Sequence, residues 1–136
     1  MSDTNVKAMA MDTGTACQEI GLALKYILAS QYTARYQNIV KDVPPGLLLQ
    51  GDNLTQEEWK KGSSVVATLH AYVDLCAEEL QVANAGQIPE GVWQNWKEGI
   101  LAGFRIPAVQ TLWKEFFQRG PYEELRKFLN ANGLGG

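Results

Sequence analysis

His70, Asp74 and Glu78 stand four residues apart. On a helix that spacing puts all three on one stripe, where a carboxylate can orient the imidazole as a general base or the three can face one metal ion. The same spacing is ordinary on a solvated helix face, where Asp and Glu are at home. Cys17 and Cys76 are the two cysteines. A thiol becomes a useful nucleophile when a neighbouring cation favours the thiolate, and neither cysteine has such a neighbour in sequence. Two cysteines and one histidine exclude a zinc-finger pattern and a histidine-rich metal centre. No metal, cofactor or catalytic residue is assigned.

Binding chemistry has three further candidates. Trp93 and Trp96, with Phe104, Arg105 and Trp113 after them, can line a ligand pocket, although aromatics at helical spacing more often form core. Arg105 stands beside Pro107 at a helix junction, where it can meet an anion or cap the preceding carbonyls. Leu47, Leu48 and Leu49 form an apolar run inside a turn-rich connection, to be tucked under the fold as a plug or offered to a partner. Tyr26, Tyr32 and Tyr36 surround Arg35 in a pattern that can stack nucleobases. The net charge of −3 supplies no basic footprint, so nucleic acid is not expected as a partner.

The elements that must position these residues read as helices, because apolar residues recur at helical spacing and nowhere alternate with period two. A first helix is expected from the Ser2–Asp3–Thr4 capping candidates to about Val40. Val6, Met9, Thr13, Ala16, Cys17, Ile20, Leu24, Ile27 and Leu28 make one face of it. Gly14 and Gly21 weaken it, but among so many alanines they also let another helix approach closely. Pro44 and Pro45 stop it. A second long helix is expected from Leu54 to Gly86. Thr55 and Glu58 make a capping box, Leu54 and Trp59 a hydrophobic staple, and Gly86 the left-handed stop. Trp59 is expected against the Tyr36–Val40 end of the first helix. The two long helices form an antiparallel hairpin with Cys17 and Cys76 buried on facing sides. Three short helices follow, opened by Pro89, Pro107 and Pro121, and Gly133 closes the last. The fold class is therefore all-α: a long antiparallel helical hairpin followed by three short helices, in one domain over residues 1–136.

At 46% apolar and 20% charged residues, the chain has the composition of a globular domain rather than a disordered one. Glu19, Lys25 and Arg35 interrupt the most apolar region, so no membrane span is expected. The first residues lack a basic start followed by an apolar run, so no secretory leader is expected, and a cytoplasmic location is the default expectation.

The run from Val65 to Ile100, continued by Pro107 and Trp113, resembles a broad class of bacterial all-helical domains of unknown function. Members of that class often follow one or two membrane segments. In them a leucine–polar–x–aromatic element passes through a glycine turn and an isoleucine to a tryptophan-bearing helix. Leu69, His70 and Tyr72, then Gly86, Ile88 and Trp93 or Trp96, hold those places here. The resemblance covers residues 65–118 and implies an all-α fold. It brings no catalytic residue, and this chain departs from it in lacking a membrane segment and in its Pro-Pro-Gly-Leu-Leu-Leu connection.

The function expected from these features is a protein-binding or regulatory helical module that self-associates. Between Ala8 and Ala34 the first helix carries only three charged residues, Asp12, Glu19 and Lys25, fewer than a face exposed to water ordinarily holds. The alternatives are a small enzyme built on His70 and Asp74 or on Cys76, and a small-molecule sensor with a tryptophan-lined pocket.

Overall fold

A computed structural model describes residues 3–49, 51–60, 63–117 and 120–134, with side chains from residue 16 onward apart from residue 49. The expected caps at Ser2, Asp3 and Thr4 lie outside the described side chains. Six α-helices and no strand occur among the described residues: α1 (Asp3–Val40), α2 (Pro45–Leu49), α3 (Ser64–Asn84), α4 (Glu90–Gly103), α5 (Pro107–Leu112) and α6 (Glu123–Ala131). A π-helical turn, Trp113–Phe117, continues α5.

α1 stops at Val40, where the prolines require it to. The following connection holds an element that the sequence reading took as a break. Pro45 is the first residue of α2. The missing N–H that ends one helix costs nothing at the start of the next. Leu47 from this turn is buried in the core and Leu48 is exposed, at 38%.

The second long helix is shorter than expected. The Thr55–Glu58 capping box does form: Thr55 N–H donates to Glu58 Oε1 at 2.9 Å and Glu58 N–H to Thr55 Oγ1 at 3.2 Å. It starts a single turn, in which Trp59 N–H donates to Thr55 O at 3.0 Å. The helix that carries the core begins eight residues later, where the Ser63 hydroxyl accepts from Val66 N–H at 3.2 Å. Serine is the better cap, and Gly62 just before it is among the weakest helix formers. Trp59 faces Phe116 of the π turn, at 6.2 Å between ring centroids.

The stops of α3 and α6 are as read. Gly86 and Gly133 have φ of 70° and 77°. In each case the following N–H reaches back across the last turn, Gln87 to Val82 O at 3.0 Å and Leu134 to Leu129 O at 2.8 Å. Only glycine adopts this left-handed position without a Cβ clash.

α3 lies at the centre. Val73, Leu75 and Cys76 have no exposed surface, and α1, α4, α5 and α6 all pack on it. Tyr36 of α1 meets Tyr72, and Arg35 meets Glu78, so the two helices run in opposite senses. This register corrects the expectation for the cysteines. The level of Cys17 falls beyond Asn84, where α3 has ended. Cys17 is exposed while Cys76 is buried, and the two do not face each other. The tip of the Tyr72 side chain lies against Gly103 of α4, in the space a Cβ would need.

Gly103→Ala is therefore expected to lower stability by about 1–3 kcal/mol by forcing the buried Tyr72 ring aside. Gly91→Ala on the exposed side of α4 meets nothing within 4 Å and should raise stability by up to about 1 kcal/mol. Urea midpoints at constant slope check both.

Candidate functional site

Three arrangements of side chains stand out on this frame. The first is a pocket of about 200 Å³ between α1, α3 and α4. α1 supplies Tyr36, α3 supplies Tyr72 and Glu79, and α4 supplies Asn95 and Trp96. Tyr72 and Glu79 lie on the inward stripe of α3, Trp96 is half-buried on α4, and Tyr36 and Asn95 stand at the exposed edge of the pocket. Tyr72, Cys76 and Glu79 follow one another at spacings of four and three, which makes Glu79 a carboxylate on an otherwise apolar face. Trp96 is held from the α1 side by Tyr32, at 5.6 Å between centroids.

Glu79 is the one charged side chain buried among the described residues, at 6% exposure. Burial pushes its carboxyl up to about 7, and the positive charge of Arg35 opposes that rise. The Arg35 guanidinium is itself engaged elsewhere, 2.5 Å from Glu78 Oε2 and over the Tyr32 ring. Burial also raises the Tyr72 hydroxyl and the Cys76 thiol; the neighbouring Glu79 charge raises Cys76 further and the Tyr72 hydrogen bond opposes it. A buried thiol held protonated is a poor nucleophile, which weighs against chemistry at Cys76.

A second pocket, about 280 Å³ and largely apolar, lies against the first. Tyr36, Tyr72 and Gly99 line both. Leu47 and Leu48 close the far side of the second pocket. Of the binding residues expected from sequence, Leu47, Leu48 and Trp96 thus fall around two adjoining pockets. Trp93 does not join them: it packs on Phe128 of α6 at 6.1 Å. Arg105 is exposed at the α4–α5 junction, and the side chain of Leu49 lies outside the described residues. Trp113 is buried against Phe104, edge to face at 5.7 Å.

The second arrangement centres on His70 and Asp74. Their nearest polar atoms are 3.6 Å apart. Tyr122, the residue that leads into α6, donates its hydroxyl to Asp74 and lies 3.4 Å from His70 Nε2. Burial and the Asp74 carboxylate raise the Tyr122 hydroxyl to about 12. His70 also stacks on Phe117 at 4.6 Å. Glu78 is turned toward Arg35, so the expected three-residue stripe is divided between two partners. The His70 and Asp74 side chains are each half exposed, and the contacts tie the start of α6 to α3.

The third arrangement is the N-terminal half of α1. Ala29 is its first buried residue after residue 15. Before it, Ile20 and Leu24 are each 60% exposed, and Leu22, Tyr26 and Ile27 at least half exposed. No group of His, Cys, Asp and Glu able to hold a metal occurs among the described residues, and no helix among them is long and apolar enough to cross a membrane.

No family model, curated protein or solved structure matches the chain. The site is therefore read from its geometry. Sequence reasoning passed over Glu79, whose signal was its place among Tyr72, Cys76 and Leu80 on the apolar stripe of α3.

Glu79 gives a pH dependence with a defined sign. Its native value near 7 lies above its ordinary 4.5, so the native state holds the proton between those values. The native state thus loses stability as pH rises from about 4.5 to about 7 and levels off above that. Glu79→Gln should stabilise the protein by on the order of 1–3 kcal/mol at pH 8 and give little gain at pH 4. Denaturant unfolding of both proteins at the two pH values checks this.

Proposed function

We propose that this chain is a helical protein-interaction module that self-associates through the outward face of α1. The observation that carries the reading is the exposure of Ile20, Leu24 and Ile27 on a helix with its opposite side already occupied. The side of α1 that docks on its own domain bears Ala29, Tyr32, Tyr36 and Ile39. Cys17, Ile20, Leu24, Ile27, Gln31 and Ala34 lie about 140° round the axis from it, and all six are exposed.

The six repeat at alternating steps of three and four, a period of 3.5 residues. That period belongs to a seam made for another helix, whereas a helix packed on a globular core follows 3.6. Gly21 and Ala23 flank the seam, and their small size permits a close approach of backbones. No charged residue flanks it between Ala16 and Ser30 at the positions nearest a partner helix, so two identical copies meet there without like-charge repulsion. A second copy supplies a helix of matching length, seam and polarity.

The overhang supports the same reading. At 1.5 Å per residue α1 extends about 57 Å and α3 about 31 Å, so α3 cannot shield the first half of α1. An isolated helix in water is marginal without packing.

Light scattering over roughly 1–300 µM should give a mass that rises from monomer to dimer, a range set by the micromolar affinities usual for modest interfaces. Leu24→Glu should remove the rise while leaving the helical circular dichroism in place, since Leu24 is exposed in the protomer. A monomer mass throughout, or a dimer untouched by Leu24→Glu, contradicts the reading.

A further inference from the structure

The pocket between α1, α3 and α4 combines features that the α1 seam does not use. Its walls are the aromatic rings of Tyr36, Tyr72 and Trp96, and its one ionisable acid is Glu79, 6% exposed. No hydrogen bond or ion pair within 4 Å engages the Glu79 carboxylate among the described residues, and the nearby cation, Arg35, sits against Glu78 instead. A buried carboxylate in an apolar setting is costly unless it takes up a proton or a cation. Aromatic faces carry negative charge and attract a cation held against them, most strongly when water is excluded.

We propose that this pocket binds a small organic cation of the alkylammonium class, with Glu79 as counter-ion and Trp96, Tyr36 and Tyr72 as aromatic walls, open to solvent on the side of Tyr36 and Asn95. The size agrees. About 200 Å³ lies below the ~300 Å³ at which pockets begin to take drug-sized ligands, and suits a head group of few heavy atoms. The donor set does not suit a hard metal ion, which needs six or more oxygens, whereas one carboxylate, one amide, two phenols and the Thr33 hydroxyl surround this space. Asn95 can accept a hydrogen bond from a primary ammonium through its amide oxygen. Tyr36 and Tyr72 also line the adjoining apolar pocket, so a short alkyl substituent on the cation has apolar surface beside it.

The charge state of the site follows from the groups around Glu79. Arg35 and Tyr36 stand near it from α1, and Tyr72 and Cys76 from α3, while α4 contributes the neutral Asn95 and Trp96. Burial holds the Tyr72 hydroxyl and the Cys76 thiol protonated, and Glu79 changes state near neutral pH.

The test uses the whole chain and three probes: tetramethylammonium, choline and n-butylammonium. Binding is read by tryptophan fluorescence and by calorimetry. At least one probe should saturate the signal below roughly 10 mM. The neutral carbon isostere of choline, 3,3-dimethylbutanol, should bind at least tenfold more weakly, and affinity should rise with pH through about 7. Glu79→Gln, a folded variant by the stability argument above, should weaken binding at least tenfold. Trp96→Leu should do the same and also remove most of the fluorescence response. Absence of saturation with all three probes, equal affinity for the isostere, or undiminished binding by Glu79→Gln overturns the proposal. None of these outcomes depends on the oligomeric state.

Discussion

A helix of 38 residues lies on a partner of 21. Two helices that pack side by side shield each other only where both are present, and apolar surface beyond the end of the shorter one meets water unless something else covers it. The docked half of α1 is fixed by Ala29, Tyr32 and Tyr36 on the domain side. Before Ala29, the described part of α1 exposes Ile20, Leu22, Leu24, Tyr26 and Ile27. The physical problem of this protein is that surface, and the seam opposite the docking face is its proposed solution.

The same docking creates the pocket. Gly103 of α4 leaves room for the Tyr72 hydroxyl, which occupies the space a side chain would need. Tyr72 is thereby fixed as a wall shared by two pockets, and Tyr36 reaches it from α1. Glu79 then faces aromatic rings rather than solvent. Moving the α1–α3 register by a turn would separate Tyr36 from Tyr72 and return the carboxylate to water, so pocket and overhang are two consequences of one helix alignment.

What the sequence made legible were features written in a few neighbouring residues. Val40, Gly86, Pro107 and Gly133 mark their helix ends by local chemistry, and the all-helical class follows from periodicity. Where two local signals competed, the reading failed. Thr55 and Ser63 both offer caps; the first starts one turn and the second starts α3. Pro45 reads as a stop and is also a start. That shift of α3 along the chain changed its register against α1, which is why Cys17 lies in solvent instead of facing Cys76, while Cys76 is buried as its apolar stripe predicts. The pocket was only partly legible. Trp96 could be named as an aromatic on a helix, but its partners Glu79 and Tyr36 come from elements whose relative placement no local pattern encodes. Glu79 left a trace, an acid on an apolar stripe, that periodicity alone reads as an interruption.

Hydrogen exchange of the α1 amides between residues 16 and 28, followed by mass spectrometry at low and high protein concentration, tests the central claim about that helix most directly. Tertiary packing gives most helices their stability, so this half of α1 should exchange fast when the protein is dilute and become protected as copies associate. The amides of α3 should stay protected throughout. Exchange over residues 16–28 that is slow in dilute solution, or that is the same at every concentration, would contradict the account.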